Sequence, residues 1–162
     1  MVSKKMGEML NEQVKNEWES EFIYLAMMAW CFNNNYDGFG MWMLKQAGEE
    51  REHGMKILRY LHEADFPLAI PSLHAPKPQF ESVEKVFRQG LEHEQKVTKM
   101  IYALTEQAVA DKDFTTQQFL QWFINEQLEE ESTFRGIIAK LERIKGAPGG
   151  LFMLEAQLAQ RA

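Results

Sequence analysis

The sequence lacks most of the features that mark secreted, membrane-embedded or nucleic-acid-binding proteins. Its 162 residues contain one cysteine, Cys31, which excludes an intrachain disulfide and fits a reducing compartment. The longest apolar run, residues 22–32, has eleven residues, whereas a membrane-spanning helix needs about 20. No signal-peptide core follows Met1, and no basic tail accompanies the formal net charge of -6. We therefore expect a cytoplasmic protein that binds neither nucleic acid nor a membrane.

Proline is scarce outside one segment, and no β-strand pattern is visible. Four of the five prolines lie within residues 65–80, which excludes a regular helix there. Elsewhere apolar residues recur with the period of an α-helix. This pattern predicts four long helices and a short fifth one, at about residues 3–33, 40–64, 82–110, 113–145 and 151–160. Ser3 and Asp113 are predicted N-caps, and Gly146 and Pro148 are predicted to stop the fourth helix.

The connections between the predicted helices indicate how the helices are arranged. Two short breaks, residues 33–38 ending in Asp-Gly and residues 111–112, make the helices on either side antiparallel neighbours. The proline-rich connection of roughly 15 residues can span a 25-residue helix, at about 3.3 Å per extended residue against about 1.5 Å per helical residue. We therefore predict an all-α four-helix bundle with one long crossover between helices 2 and 3 and a short fifth C-terminal helix. Residues 1–162 are predicted to form one domain, with the bundle at about 3–145.

Each long helix carries one glutamate at the centre of its apolar face. At about 100° per residue, Glu50 shares a face with Met43, Ile57 and Leu61. The central acids of the four helices are Glu17, Glu50, Glu94 and Glu130. Apart from Lys145 at the far end of the fourth helix, no Lys or Arg lies within about 60° of them. Since burying unpaired carboxylates costs several kcal/mol, a cation should compensate them; otherwise the acids are neutral or face a water-filled channel.

The chain repeats one motif at a constant offset, which favours the cation. Glu50 lies 33 residues after Glu17, and Gln127 lies 33 residues after Glu94. In both halves a further ligating side chain follows three residues later, on the same helix face. These side chains are His53 and Glu130. The approximate duplication of one hairpin predicts a metal site between the two halves.

An oxygen-rich ligand set with a single imidazole suits iron or manganese. The first ion is predicted to bind Glu17, Glu50 and His53. The second ion is predicted to bind Glu94 and Glu130. Glu50 would bridge the two ions. Gln127 is a neutral amide where the first half has an acid, so it should weaken the binding of the second ion. Two iron ions about 3.5–4 Å apart can each give an electron to the same O2, as in a di-iron oxidase.

Further side chains near the predicted ligands offer additional roles. Tyr24, two turns from Glu17 on the same face, could hydrogen-bond a ligand or a bound oxygen species, supply an electron, or be a core tyrosine. The acids predicted to form a third, looser cation site are Glu49, Glu126 and Glu129. The run of residues 129–131 is also typical of a solvated face. Arg51 and Glu52 are predicted to lie on the surface.

Together these residues resemble the bacterial non-haem ferritins over essentially the whole chain. The pattern that matches that family's ferroxidase centre and third iron site is Glu17, Tyr24, Glu49, Glu50, His53, Glu94, Glu126, Gln127, Glu129 and Glu130. Supporting stretches are residues 11–13, 29–31, 93–95 and 119–122. The resemblance implies a homo-oligomeric shell of 24 subunits that oxidises Fe(II) with O2 or H2O2 and stores a ferric oxyhydroxide mineral. In that family the fifth helix packs near fourfold axes; the alternative is a helix docked on its own bundle.

Other classes fit the sequence less well. Haem-binding bacterioferritins have their haem methionine where this chain has Arg51, and a second Glu-x-x-His where it has Gln127-x-x-Glu130, so no haem is expected. Mini-ferritins lack the fifth helix, and rubrerythrin-like peroxidases usually add a cysteine-rich iron module. A di-iron oxidase or peroxide-detoxifying protein without storage keeps the same ligands. A metal-free helical adaptor leaves four core acids unexplained.

Overall fold

The computed structural model describes residues 2–74, 76–77, 79–145 and 147–161, and five α-helices lie within them. In chain order they are α1 (Lys4–Asn33), α2 (Asp37–Glu63), α3 (Val83–Ala110), α4 (Phe114–Arg143) and α5 (Pro148–Leu158). α1 packs along α2 and α3 along α4, α1 also contacts α3, and α5 contacts α2 and α4. The predicted all-α bundle with a short fifth helix is confirmed. In the described ranges no helix is long and apolar enough to cross a membrane.

Three helices begin where the sequence offers a capping oxygen. The side chains of Ser3, Ser82 and Asp113 accept hydrogen bonds from the backbone N–H three residues later, at 3.2, 3.2 and 3.0 Å. Each bond satisfies one of the N–H groups that the first turn of a helix leaves unpaired. The predicted N-caps Ser3 and Asp113 are therefore confirmed.

Two helices begin three residues earlier than predicted. The Asp37-Gly38 pair is the first turn of α2 and not a break, because the chain reverses at Asn35, whose φ of 61° is left-handed. The Asp37 carboxylate then suits the positive end of the helix dipole. Pro148 begins α5 as its first residue, where the missing N–H costs no hydrogen bond.

Two helices also end two residues before the predicted boundary, α4 at Arg143 and α5 at Leu158. Helix ends are the least defined part of a periodic pattern, since the last turn makes few hydrogen bonds. Gly146, the predicted stop signal, and Pro78 of the crossover lie outside the described residues.

The proline-rich connection runs along α1, as a crossover requires. Near its start, Asn11 of α1 donates from Nδ2 to the carbonyl of Pro67 at 3.0 Å and accepts from the N–H of Ala69 at 3.1 Å. Near its end, Phe80 packs edge-on against Trp30, with ring centroids 6.0 Å apart. Asn11 and Trp30 are about 28 Å apart along the helix, at about 1.5 Å per residue. The connection therefore travels most of the length of the bundle.

The hydrophobic core consists of two clusters at opposite ends of the bundle. The aromatic cluster includes Tyr24, Phe39, Trp42, Phe87 and Phe134, and α5 adds Leu154 and Leu158. The mainly aliphatic cluster includes Met6, Leu10, Ile57, Leu61, Ile101 and Phe123. On every long helix the middle turns lie between the two clusters. The buried polar side chains come from these turns, apart from Thr116 in the first turn of α4.

Gly90→Ala should destabilise the protein, because a Cβ at Gly90 would lie 2.3 Å from Cε1 of Phe134. That ring is fully buried and packs against Tyr24 and Trp42, so it cannot move aside freely. We expect the free energy of unfolding to fall by about 1–3 kcal/mol, measured as a lower Tm by circular dichroism.

Gly136→Ala is the matched control, since no atom lies within 4 Å of its added Cβ. Helix propensity should raise its stability by up to about 1 kcal/mol. Equal melting temperatures of Gly90→Ala and the wild type would contradict the packing argument.

Candidate metal centre

The four glutamates at the centres of the apolar helix faces lie in one polar layer inside the bundle. They are Glu17, Glu50, Glu94 and Glu130, with exposed fractions of 1–4%. Each comes from a different long helix, between the two hydrophobic clusters. Across the described residues, their ion-pair contacts are made with His53 and not with Lys or Arg. The structure therefore brings the predicted acids together without a Lys or Arg partner among the described residues.

One fully buried group of ligand atoms comes from Glu17, Glu50 and His53. Nδ1 of His53 lies 3.4 Å from Oε2 of Glu50 and 3.8 Å from Oε2 of Glu17. One ligand atom from each residue lies within 4.8 Å of the other two. Oε2 of Glu17 is fully buried and has no hydrogen-bond partner among the described residues. Buried polar atoms are normally satisfied, so this oxygen indicates a position for a cation.

A second group of ligand atoms lies on the other side of the imidazole. His53, Glu126 and Glu130 each place one ligand atom within 4.8 Å of the others, and Nε2 of His53 is 3.7 Å from Oε1 of Glu126. The sequence prediction pairs Glu130 with Glu94 for the second ion. Among the described residues Glu94 belongs to neither group of three. The predicted assignment of the second ion stays a prediction.

Glu94 is held by two neighbouring side chains. The Tyr24 hydroxyl donates to Oε1 of Glu94, and Nε2 of Gln127 donates to its Oε2 at 3.0 Å. Burial and the adjacent Glu94 and Glu50 charges raise the pKa of Tyr24 well above its usual value, so the phenol keeps its proton. Tyr24 therefore orients a predicted ligand, and Gln127 occupies a predicted ligand position as a hydrogen-bond donor.

Two buried glutamines complete the layer: Gln46, which the sequence analysis did not identify, and Gln13, which it named only within the supporting stretch of residues 11–13. Gln13 donates to Oε1 of Glu17 at 2.9 Å, and Gln46 donates to Oε2 of Glu130 at 2.8 Å and to Oε1 of Glu50 at 3.4 Å. Both precede an acid by one helical turn, and they are 33 residues apart, like Glu17 and Glu50. The 33-residue offset therefore also relates the residues one helical turn before the ligands, and this repeat could have identified both glutamines.

The acids of the predicted outer cation site are only partly assembled. Glu49, half-buried, accepts a hydrogen bond from Arg161 at 2.5 Å, and Glu126, half-buried, faces His53. Glu129 is exposed and lines a different surface groove, beside Trp42. The structure brings Glu126 to the centre, and the third site stays a prediction.

A surface groove of about 640 Å³ gives access to the second group of ligands. Its walls include Glu49, His53 and Glu126. Trp122 packs edge-on against His53 at 5.3 Å between ring centroids, and Nζ of Lys56 lies 4.2 Å from the centroid of Trp122. Ions can therefore approach the imidazole from this groove without passing through the hydrophobic clusters.

Arg51 and Glu52, the two residues predicted to lie on the surface, are both exposed. Arg51 nevertheless hydrogen-bonds Glu21, an acid that is 7% exposed and that the sequence analysis did not single out. Glu52 pairs loosely with Arg59 at 3.5 Å. A buried carboxylate with an arginine partner needs no metal ion to balance its charge. Glu21 differs in this respect from the four central acids.

A family model of the ferritin-like domain matches residues 7–144. The chain belongs to the ferritin family. It is 42% identical to a bacterial non-heme ferritin of Staphylococcus haemolyticus over 162 residues, covering 100% of this chain and 98% of the relative. It is 39% identical to one from Campylobacter jejuni over 155 residues, covering 96% and 93%. The resemblance inferred from the ligand pattern is confirmed.

Solved ferritins share the whole fold. An open-pore ferritin of the archaeon Archaeoglobus fulgidus superposes with a TM-score of 0.98 at 35% identity, covering 100% of both chains. A structure described as a humanized archaeal ferritin gives the same TM-score at 36% identity, covering 100% of this chain and 98% of the other. The predicted architecture, including the crossover and the fifth helix, is that of the ferritin fold.

The ferritin bundle holds its central carboxyls partly protonated in the absence of metal. Burial raises the pKa of Glu94 to about 7 and that of Glu130 to about 8, and hydrogen bonds from neighbouring side chains only partly oppose it. Burial likewise raises the pKa of Glu17 and raises that of Glu50 well above its usual value. The sequence left open that the central acids are neutral and need no cation. In the metal-free protein these acids are therefore partly neutral.

The imidazole of His53 carries a compensating positive charge. Burial alone would lower its pKa, but the nearby carboxylates of Glu126, Glu50 and Glu17 raise the pKa to about 11. The same contact with His53 is the main cause of the lowered pKa of Glu126, and Lys56 and Arg161 contribute their charges. A metal ion that binds this nitrogen must therefore displace a proton.

The metal-free protein should lose stability as the pH rises from about 5 to about 8. Carboxyls whose pKa is raised on folding stabilise the fold fully below their ordinary value of 4.5, and that stability is lost as pH rises through about 7 for Glu94 and about 8 for Glu130. The raised pKa of His53 means that its contribution to stability is also lost as the pH rises. Melting curves of the metal-stripped protein between pH 5 and 8 measure the effect.

Glu94→Gln should flatten this pH dependence, because the amide cannot lose a proton. Glu92→Gln, an exposed acid on the same helix, is the matched control and should leave the slope unchanged. If both variants keep the wild-type slope, the raised pKa of Glu94 does not govern stability.

Proposed function

We propose that this protein stores iron in the cytoplasm and oxidises Fe(II) at the buried centre formed by Glu17, Glu50 and His53. One observation carries the proposal: three ligand atoms from these residues lie within 4.8 Å of one another. One of the three residues, Glu17, has a buried oxygen without a hydrogen-bond partner among the described residues. A cation at this position supplies the missing partner.

The donor chemistry supports iron as the ion. Carboxylate oxygens with one imidazole nitrogen suit Fe(II) and offer no thiolate for copper or structural zinc. The 3.4 Å between Nδ1 of His53 and Oε2 of Glu50 is close to the separation of two donors that bind one ion at about 2.1 Å. Little rearrangement is needed before the first ion binds.

A second ion would bind between Glu130, Glu94 and the side of His53 that faces Glu126. Gln127 donates its amide hydrogen to Glu94 and adds no charge to this position. We therefore expect the second ion to be held more weakly than the first. For a storage protein weak binding is useful, because the oxidised ion has to leave the centre.

The residues of the centre exchange protons for iron. In the metal-free protein at neutral pH, Glu130 and His53 hold protons and Glu94 is partly protonated, and these protons leave as Fe(II) binds. Two Fe(II) ions then lose one electron each, and O2 takes up both electrons and two protons to give H2O2. With H2O2 as the oxidant, the same two electrons and two protons give two molecules of water. Tyr24 keeps Glu94 oriented through its hydroxyl.

Storage requires an assembly, and several side chains are suited to subunit contacts. Among the described residues, five large apolar side chains are each more than two thirds exposed. They are Ile70, Phe114, Leu128, Phe152 and Met153. Scattered apolar residues are normal on a monomer, but two adjacent ones on α5 form a patch. We propose a homo-oligomer of 24 subunits, in line with the solved ferritins described as open-pore and closed forms.

Glu50→Ala should lower the initial rate of aerobic Fe(II) oxidation at least about 100-fold, because it removes the carboxylate closest to His53. The helical fold should remain, as judged by circular dichroism. Glu52→Ala is the matched control: this acid is two residues away and exposed, so oxidation should keep its wild-type rate. Unchanged kinetics in Glu50→Ala would falsify the assignment of the centre.

Glu129→Ala tests the third cation site separately. If Glu129 turns toward Glu49 and Glu126 when iron binds, the variant should bind fewer Fe(II) ions per subunit in an anaerobic titration. Glu142→Ala, an exposed acid of the same helix, should leave the number unchanged. An unchanged number in Glu129→Ala means that the third site does not include this residue.

The storage proposal also predicts a particle many times heavier than the 18.9 kDa of one chain. Sedimentation velocity measures the mass, and the iron retained per particle after aerobic loading measures storage. Monomers or dimers that oxidise Fe(II) without retaining iron would favour an oxidase without storage.

A further inference from the structure

The chain beyond α5 returns to the metal centre through Arg161. Leu154 and Leu158 of α5 are buried in the aromatic cluster that includes Trp42. The guanidinium carbon of Arg161, three residues beyond the helix, lies 4.4 Å from the centroid of the Trp42 ring. This stacking directs the guanidinium toward the middle of α2, where the ligands begin.

Arg161 makes two hydrogen bonds at the edge of the centre. Its Nη2 donates to Oε2 of Glu49 at 2.5 Å, and its Nη1 donates to Oε1 of Gln46 at 2.8 Å. Gln46 in turn donates to the predicted ligands Glu130, at 2.8 Å, and Glu50, at 3.4 Å. Only 23% of the Arg161 side chain is exposed, so the ion pair is partly shielded from water. One glutamine side chain therefore separates Arg161 from the carboxylates of the centre.

The start of α2 holds α5 in this position. The N–H of Gly38, in the first turn of α2, donates to Oε1 of Glu155 on α5 at 3.0 Å. A Cβ at Gly38 would lie 2.5 Å from Cγ of Glu155, so the two helices approach as closely as a glycine allows. With the buried leucines, this contact fixes where the C-terminal segment begins.

We propose that Arg161 is a tethered cation that competes with metal ions for Glu49. A guanidinium keeps its charge at every physiological pH, so an ion that binds the same Glu49 oxygen must displace it. The contact weakens cation binding at the mouth of the centre while leaving the inner ligands free. This inference rests on the proposed function, in which Glu49 belongs to an outer cation position.

The competition is measured with Zn²⁺ as a redox-inert ion, by titration calorimetry on the assembled, metal-stripped, full-length protein. Arg161→Gln should tighten the weakest class of Zn²⁺ sites about tenfold, since it removes a charge-assisted hydrogen bond that the ion must break. Arg59→Gln is the matched control: it removes the same charge from the groove that Glu49 lines, and Arg59 has no contact with Glu49 among the described residues. Its Zn²⁺ affinity should change less than about twofold.

A double-mutant cycle separates competition from general electrostatics. In the Glu49→Gln background, Arg161→Gln should no longer change the Zn²⁺ affinity, because the contested carboxylate is absent. Arg161→Lys keeps the charge but lacks the two-nitrogen fork with which Arg161 bonds Glu49 and Gln46, so its Zn²⁺ affinity should lie between those of the wild type and Arg161→Gln.

Three results would overturn the proposal. They are equal Zn²⁺ affinities in the wild type and Arg161→Gln, weaker binding in Arg161→Gln, and an undiminished effect in the Glu49→Gln background. Weaker binding would mean that Arg161 supports the centre by orienting Gln46.

Glu50→Ala distinguishes this failure from failure of the centre itself. If Glu50→Ala removes the tightest Zn²⁺ class while Arg161→Gln changes nothing, only the competition is wrong; if Glu50→Ala removes no class, the proposed centre is wrong.

Discussion

The structure depends on the burial of four carboxyl groups in one layer of the bundle. Four ionised carboxylates without basic partners could not stay there, because their desolvation and mutual repulsion would oppose folding. The chain has two ways to neutralise the layer. Without metal, the acids keep protons and His53 is positively charged. In the metal-bound state that we propose, cations replace those protons. The two hydrophobic clusters on either side hold the helices together in both states.

The two halves of the chain contribute unequally to this layer. In the first half Gln13 and Gln46 each bond an acid of the centre, and Glu17, Glu50 and His53 form a group of three buried ligands. In the second half the amide of Gln127 replaces an acid, and the predicted ligand Glu94 is bonded to Tyr24 and Gln127. The first half therefore supplies a complete group of three ligands, whereas Glu130 of the second half joins a group with His53 and the half-buried Glu126. This asymmetry agrees with a protein that must both bind iron and pass it on.

The fifth helix connects the exterior of the bundle to the same layer. Its leucines complete the aromatic cluster, Glu155 meets the start of α2, and Arg161 reaches Glu49 and Gln46. The position of α5 therefore determines where Arg161 can place its charge beside Glu49. The connection is short in space although Gln46 and Arg161 are 115 residues apart in the chain.

The sequence by itself determined the helices, their order, the crossover and the layer of buried acids. Periodicity reports which face of each helix is buried, and the duplicated 33-residue offset places Glu17 and Glu50 at the same level. The helix starts at Asp37 and Pro148 were predicted too late in the chain. Asp, Gly and Pro occur both in turns and in the first turn of a helix, so the sequence pattern does not distinguish the two. Only the tertiary structure decided the pairings between helices: Glu21 with Arg51, Gln46 with Glu130, Glu126 with His53, and Glu49 with Arg161. These pairings depend on the rotation of each helix and the reach of each side chain, which a one-dimensional pattern does not contain.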